Sequence, residues 1–300
     1  MIIENEVRNA HVGDFGGTPD GSPSSHLHLN LGDVCPPGYP LAEILSQPRG
    51  RAKRLAAWEA AVRTWAKGIP AAIGARQGVP LTTASIEAEK IAPTPHDRGM
   101  VAEADSISAY GANLRKALGV ISSMLGVTVT PYGASQILPA HIHSRVEQHR
   151  AQVMDWHDWH RPGGGLRGVT PCQSFYVGAE QHPTDVVCWV QGALDRHAAV
   201  GHGSLKAPLT VFVSPELQRA AGSGVADDFP ELEPAVLATV LKFIEAHPLP
   251  CRVVSWFKAS TEARAENARR IVREAIVRLS PSLHRGGWEK PIPSGQGGLA

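Results

Sequence analysis

Apolar positions recur along this chain at helical spacing in some stretches and at strand spacing in others. Leu55, Trp58, Val62 and Trp65 fall three and four apart across Arg51–Lys67 and mark one stripe of an amphipathic helix. Glu103–Leu125 repeats the pattern more cleanly through Ile107, Leu114, Leu118, Ile121 and Leu125, with Gly126 placed to end it. A third helix is predicted from Pro139, carrying Ile142, Val146, Val153 and Trp156 on one side and stopping before Pro162 and Gly163–Gly165. Strand patterns bracket this helical stretch. Ile2–Val7 and the strictly alternating His26–Leu31 precede it, while Ser174–Val177, Leu209–Val213 and Arg252–Phe257 follow. Between the later strands lie helical patterns over Asp185–His197, Pro234–Ala246 and Glu262–Leu279.

These elements predict a mixed α/β (α+β) protein. Residues 1–48 form a strand and loop region, 49–162 a mainly helical region, 169–280 an α/β region, and 281–300 an extended tail rich in proline and glycine. Strands alternating with helices in the last third imply βαβ units and a partly parallel sheet. The glycine-rich stretch between Pro162 and Gly168 marks either the boundary between two halves or a long loop.

Composition narrows the class. A hydrophobic fraction of 43% and a charged fraction of 19% suit a folded chain rather than a disordered one. A net charge of +1 excludes a molecule that binds nucleic acid by overall charge, but leaves a local patch open. Arg49, Arg51, Lys53 and Arg54 supply one such patch, facing either solvent or a phosphate backbone. Cys35, Cys172, Cys188 and Cys251 are scattered without a C-x-x-C pair, which argues against a zinc ribbon or a disulfide framework. The first residues lack a basic stretch followed by an apolar run, and no apolar run is long enough to span a bilayer, so a cytoplasmic location and no membrane contact are expected.

Histidine is the residue type that points to a chemistry. The chain has 14, and the segment His141–His160 holds five of them with Glu147, Asp155 and Asp158. Imidazole and carboxylate are ligands for zinc, manganese or iron, and a metal with an open position activates water. On a strand, His141 and His143 share a face. There His141, His143 and Glu147, with Pro139 two residues ahead, resemble the first metal motif of cupin barrels, which implies a bound metal and a β-barrel. On a helix, His141 and His143 diverge by about 200°. The workable pairs are then His143 with Glu147 and His157 with His160. The apolar stripe favours the helix, and its bland reading is a core helix with solvated histidines.

A second cluster sits on the alternating strand, where His26 and His28 share a face. This pair resembles the histidine-hydrophobe-histidine motif of rolling-circle and relaxase nucleases, which implies two imidazoles on a divalent ion and a helical tyrosine nucleophile. Tyr110 is the tyrosine that follows, although it falls on the apolar stripe of its helix. The pair also resembles the histidines that close lysostaphin-type metallopeptidases, but only 25 residues precede it. Asp158, His160 and Gly163 resemble the D-x-H-x-x-G pattern of cobalamin-binding domains without the strand and units that surround it there. The bland reading of His26 and His28 is a hairpin strand with solvent-facing histidines.

Three function classes follow. The first is a divalent-metal-dependent hydrolase acting on a phosphodiester or related ester through His141, His143, Glu147, His157 and His160, with His26 and His28 as a second pair. The second is a non-catalytic assembly protein, self-associating or bound to a protein partner, its low charge and seven tryptophans suited to burial. The third is the tyrosine nuclease, with Tyr110 as nucleophile.

Overall fold

The structure is a computed structural model. It describes residues 11–12, 25–29, 49–57, 59–60, 63–64, 81–87, 104–132, 136–139, 142, 145, 147–202, 208–217, 230–255 and 262–279. The expected strand Ile2–Val7, the tail 281–300, and both His141 and His143 lie outside the described residues.

Among the described residues, the following strands and helices build the fold. The strands are β1 (His11–Val12), β2 (Ser25–Leu29), β3 (Leu81–Glu87), β4 (Thr128–Tyr132), β5 (Gln173–Phe175), β6 (Leu209–Val213) and β7 (Cys251–Ser255). The helices are α1 (Ala104–Leu125), α2 (Glu147–His160), α3 (Pro183–Ala199), α4 (Pro234–Ala246) and α5 (Glu262–Arg278). Residues 51–57 are also helical. None of the helices among the described residues is long and apolar enough to cross a membrane.

β1 pairs antiparallel with β2, while β2, β3 and β4 run parallel in that order. β5, β6 and β7 form a second parallel set. The Cys172 amide donates to the Pro131 carbonyl at 2.9 Å, which brings β4 to the edge of β5. From β2 to β7, each strand therefore lies beside its successor in the chain. That is the order of singly wound βα units rather than of a doubly wound sheet, whose order reverses at a switch point.

The mixed α/β class thus holds, with parallel sheets. The region 49–162, expected to be mainly helical, also contains β3 and β4. Their sequences explain why periodicity passed over them. LTTASIE and TVTPY bury small or polar side chains such as Ser85 and Thr130 alongside Ala84, Ile86 and Val129, so neither shows a continuous apolar run.

Side chains alternate across a strand, so each strand has a face toward the helices and an opposite face. Phe175 and Val177 of the β5 segment and Leu209, Val211 and Val213 of β6 join the main core. Trp189 and Leu194 of α3, Leu237 and Leu241 of α4, and Ile271 of α5 cover them. The start of α3 carries Pro183, and His182 caps it by accepting from the Thr184 amide at 3.3 Å. Gly126, at φ 71°, ends α1 in the left-handed conformation that glycine adopts without strain.

The glycine-rich stretch after α2 is a docked turn. A Cβ on Gly111 of α1 would lie 2.0 Å from the Gly165 carbonyl oxygen, and one on Gly165 would lie 2.6 Å from Ile107. Only glycine at both places permits this approach. Arg115 holds the turn from the helix side, its Nη1 donating to the carbonyls of Gly165 and Arg167 at 3.0 and 2.9 Å.

Candidate functional site

Two groups of polar side chains meet on opposite faces of β5. The first lies at the carboxyl ends of the strands. Residues paired in parallel register share a face, which places Ser174 beside Phe212 and Phe212 beside Val254. Cys172 and Tyr176 fall on the same side as Ser174 by alternation. Tyr132, at the end of β4, sets its ring against Phe212 edge-on, with centroids 4.9 Å apart. Its hydroxyl lies 2.8 Å from that of Tyr176. One level deeper, Thr130 Oγ1 and Cys172 Sγ are 3.1 Å apart.

This face holds protons firmly. Burial pushes the Cys172 thiol up to about 12, against the opposing hydrogen bond from Thr130. Burial, followed by the neighbouring Tyr132, raises Tyr176 well above the ordinary tyrosine value. Tyr176 retains some open surface even though atoms crowd its hydroxyl. Both groups are neutral at ordinary pH, so Cys172 is not a thiolate nucleophile and the tyrosines act as hydrogen-bonding groups. Register sets Glu87, the last residue of β3, beside Tyr132.

The second group is on the helix-covered face and centres on histidine. Gln173 Nε2 donates to the carbonyls of Ile137 and Ser174, and its Oε1 accepts from the Ile137 amide at 3.1 Å. His197 Nε2 lies 3.3 Å from the same oxygen and must donate to it. A neutral His197 then has a bare Nδ1, and His202 Nδ1 donates to that atom across 2.7 Å. The chain Gln173–His197–His202 thereby leaves a lone pair on His202 Nε2, which is buried without a hydrogen-bond partner. His160 stands beside it, the ring centroids 5.1 Å apart and the planes at 86°. Both ring nitrogens of His160 are also buried without a partner. Trp156 packs over the group, 4.7 Å from the His160 ring.

Burial keeps these imidazoles neutral. His160 is pulled down to about 3 by burial and then by His202, with the nearby Val169 backbone opposing. His202 falls to about 4 through burial. His197 is lowered well below the usual histidine range by burial, then by His202 and His160.

The histidine and tyrosine candidates from sequence are spread over this frame. His160 turns inward to His202, whereas His157, three residues earlier, is half-exposed near Asp158. Glu147 is exposed at the first turn of α2. His26 and His28 lie in β2, in register with Thr83 and Ser85. Tyr110 is buried on the inner side of α1. Among the basic residues, Arg49, Arg51 and Lys53 are exposed, and Arg54 donates back to the Arg49 carbonyl at 2.6 Å. Among the described residues, no three His, Cys, Asp or Glu side chains are grouped to hold a metal ion. The residues that sequence reasoning missed are Tyr132, Tyr176, His197, His202 and Gln173. Alternation of Cys172, Ser174 and Tyr176 was the available signal for the first face, and the pair His197 and His202 flanking a helix end for the second.

No protein family and no curated protein sequence matches the chain. Among solved structures, a monoclinic crystal form of bee venom hyaluronidase is similar at 11% identity and a TM-score of 0.46, over 74% of this chain and 76% of that one. Bee venom hyaluronidase in complex with a hyaluronic acid tetramer is similar at 11% identity and a TM-score of 0.38, over 67% and 70% of the two chains. Both are loose likenesses, with TM-scores below 0.5.

Proposed function

We propose that the chain is a hydrolase whose substrate binds over the carboxyl ends of β3 to β6, with Glu87 as the acid–base carboxylate. The observation that carries this reading is the Tyr132–Tyr176 hydroxyl pair at 2.8 Å, at the strand ends where parallel βα folds place their ligands. The backbone register pairs Glu87 with Tyr132, which supports this choice of carboxylate. Around it stand Tyr132, Ser174, Tyr176, Phe212, Ser214 and Val254. Hydroxyl groups and aromatic edges of this kind suit a neutral, hydroxyl-rich substrate, and the bond we assign for cleavage is glycosidic. The tyrosines orient its hydroxyls, and the ring edges of Tyr132 and Phe212 pack on its carbon skeleton. General acid–base catalysis by a positioned carboxylate contributes on the order of 10²–10⁴ in rate.

The test is turnover of a panel of neutral oligosaccharides, with a nitrophenyl phosphodiester as control. Wild type is expected to cleave a member of the panel, Glu87→Gln to lose at least about 100-fold of kcat, and Tyr132→Phe to lose less. Phosphodiester cleavage that survives Glu87→Gln would overturn the reading.

A second reading is a divalent-metal hydrolase at the same end of the sheet. It is favoured by the pairing of His28 with Ser85, two residues before Glu87 on β3. Activity abolished by a chelator and restored by zinc or manganese, together with its loss in His26→Ala/His28→Ala, would select it.

A further inference from the structure

The segment after β6 pairs with the segment before α4 and opens onto α5. The Leu217 amide donates to the Pro230 carbonyl at 2.7 Å, and the Leu232 amide donates to the Pro215 carbonyl at 2.8 Å. These two bonds flank Glu216 and Glu231, which face each other as an antiparallel bridge. In such a pair no hydrogen bond joins the two residues themselves, so their Cα atoms approach closely and their side chains leave on the same side. Carboxylates directly opposite each other repel, so stability alone does not favour this pairing. Ser214 secures the turn, its Oγ accepting from the Glu216 amide at 3.1 Å.

Both carboxylates line a cavity of about 300 Å³, together with Arg264 and Asn267 of α5. Glu216 is buried, Arg264 and Asn267 are half-buried and Glu231 is exposed, which grades the polar groups from depth to rim. Asn267 Nδ2 donates to Glu231 Oε1, and Arg270 Nη2 donates to its Oε2 at 3.5 Å. The donors and acceptors present select the ligand. An ionised carboxylate only accepts, a guanidinium only donates, and a side-chain amide does both. A ligand that meets all of them must donate and accept from neighbouring atoms, and a hydroxyl does both from one atom. Pro215, Ala268 and Ile271 add an apolar wall against which the carbons of a ring can lie. The volume stands at the small end of ligand pockets, which suits a single ring.

We infer that this pocket binds one polyhydroxylated ring of the monosaccharide or cyclitol class. Glu216 holds a hydroxyl at its depth, and Arg264, Asn267 and Glu231 hold others toward its rim. The pocket does not depend on Glu87, because its polar groups come from the end of β6 and from α5.

The experiment is saturation-transfer NMR on the full chain with glucose, galactose, mannose and myo-inositol as probes, followed by titration of any that respond. At least one is expected to bind saturably in the millimolar range. Its affinity is expected to fall at least about 10-fold in Glu216→Gln and in Asn267→Ala, and to be kept in Glu87→Gln. Asn267 is only half-buried, so Asn267→Ala tests the pocket even where circular dichroism shows that Glu216→Gln has not folded. No saturable binding of any of the four probes overturns the inference, as does affinity unchanged in Asn267→Ala and in folded Glu216→Gln. Binding lost in Glu87→Gln alone places the ring over the strand ends and overturns it too. The hydrolase reading is measured by turnover and stands or falls separately.

Discussion

The two faces of β5 bury polar groups under opposite terms. Toward the strand ends, Tyr132, Tyr176, Thr130 and Cys172 satisfy one another in pairs, and burial makes the acids among them hold their protons. Toward the helices, His197, His202 and His160 are bases that burial keeps from taking protons, and their hydrogen bonding is left incomplete. A single strand thus separates a hydroxyl and thiol network that is mostly paired, with Ser174 Oγ left over, from an imidazole one with three nitrogens unpaired.

The comparison is broken most severely by removing the lid of the histidine side. Trp156 is 2% exposed and touches all three imidazoles. Trp156→Ala is expected to cost about 3–5 kcal/mol of stability in denaturant unfolding. Tyr132→Phe, on the other face, should cost no more than ~1 kcal/mol in the same measurement.

Acid and alkali strike the two faces separately. The folded histidines resist protonation until about pH 4 or below, but the unfolded chain takes up those protons near 6.5. Their contribution is full above pH 6.5 and is lost as pH falls from there toward the folded values. At the other end, the unfolded chain releases the Cys172 and Tyr176 protons near 9 and 10, while folded Cys172 keeps its own to about 12. Stability therefore also declines as pH rises above 9. Urea midpoints between pH 4 and 11 should trace a plateau with two falling edges. His197→Gln should make the acid edge shallower without moving the alkaline one, and Cys172→Ala should do the reverse.

Smaller effects sharpen the contrast. Gly111→Ala pushes a methyl into the Gly165 carbonyl and should cost about 1–3 kcal/mol. It displaces the turn that follows His160, so near-ultraviolet circular dichroism should report a change at tryptophan. Cys172 should stay unlabelled by a thiol reagent at pH 8 while exposed Cys188 reacts. Rapid labelling of Cys172 in the folded protein would show that the tyrosine face is open to its base.

Much of the frame was legible in the sequence. LTVFV and the run from Pro234 to Ala246 match β6 and α4 residue for residue, because an unbroken apolar run and a proline start are strong local signals. The stripe through Ile107, Leu114 and Ile121 likewise marks α1, and Tyr110 lies on its buried side as that stripe required. β3 and β4 escaped because burial in a parallel sheet can be achieved with small residues. The sites were less legible for a different reason. Tyr132 and Tyr176 lie 44 residues apart, and Gln173 is 24 from His197, so neither grouping has a local spacing to read. Histidine density pointed to His160, yet its partners came from the end of another helix, not from His157 in its own.

The clasp between α1 and the glycine turn has a consequence for how the chain reaches this structure. Arg115 and Gly165 are fifty residues apart, and β4 and α2 lie within the loop they close. Closing a loop of that length is an entropic step that must precede the contacts it enables. Once closed, it holds β4 and α2 at high local concentration beside α1 and the entry to β5. Arg115→Ala is therefore expected to slow refolding more than it speeds unfolding in a chevron measurement, marking this clasp as an early event in assembly.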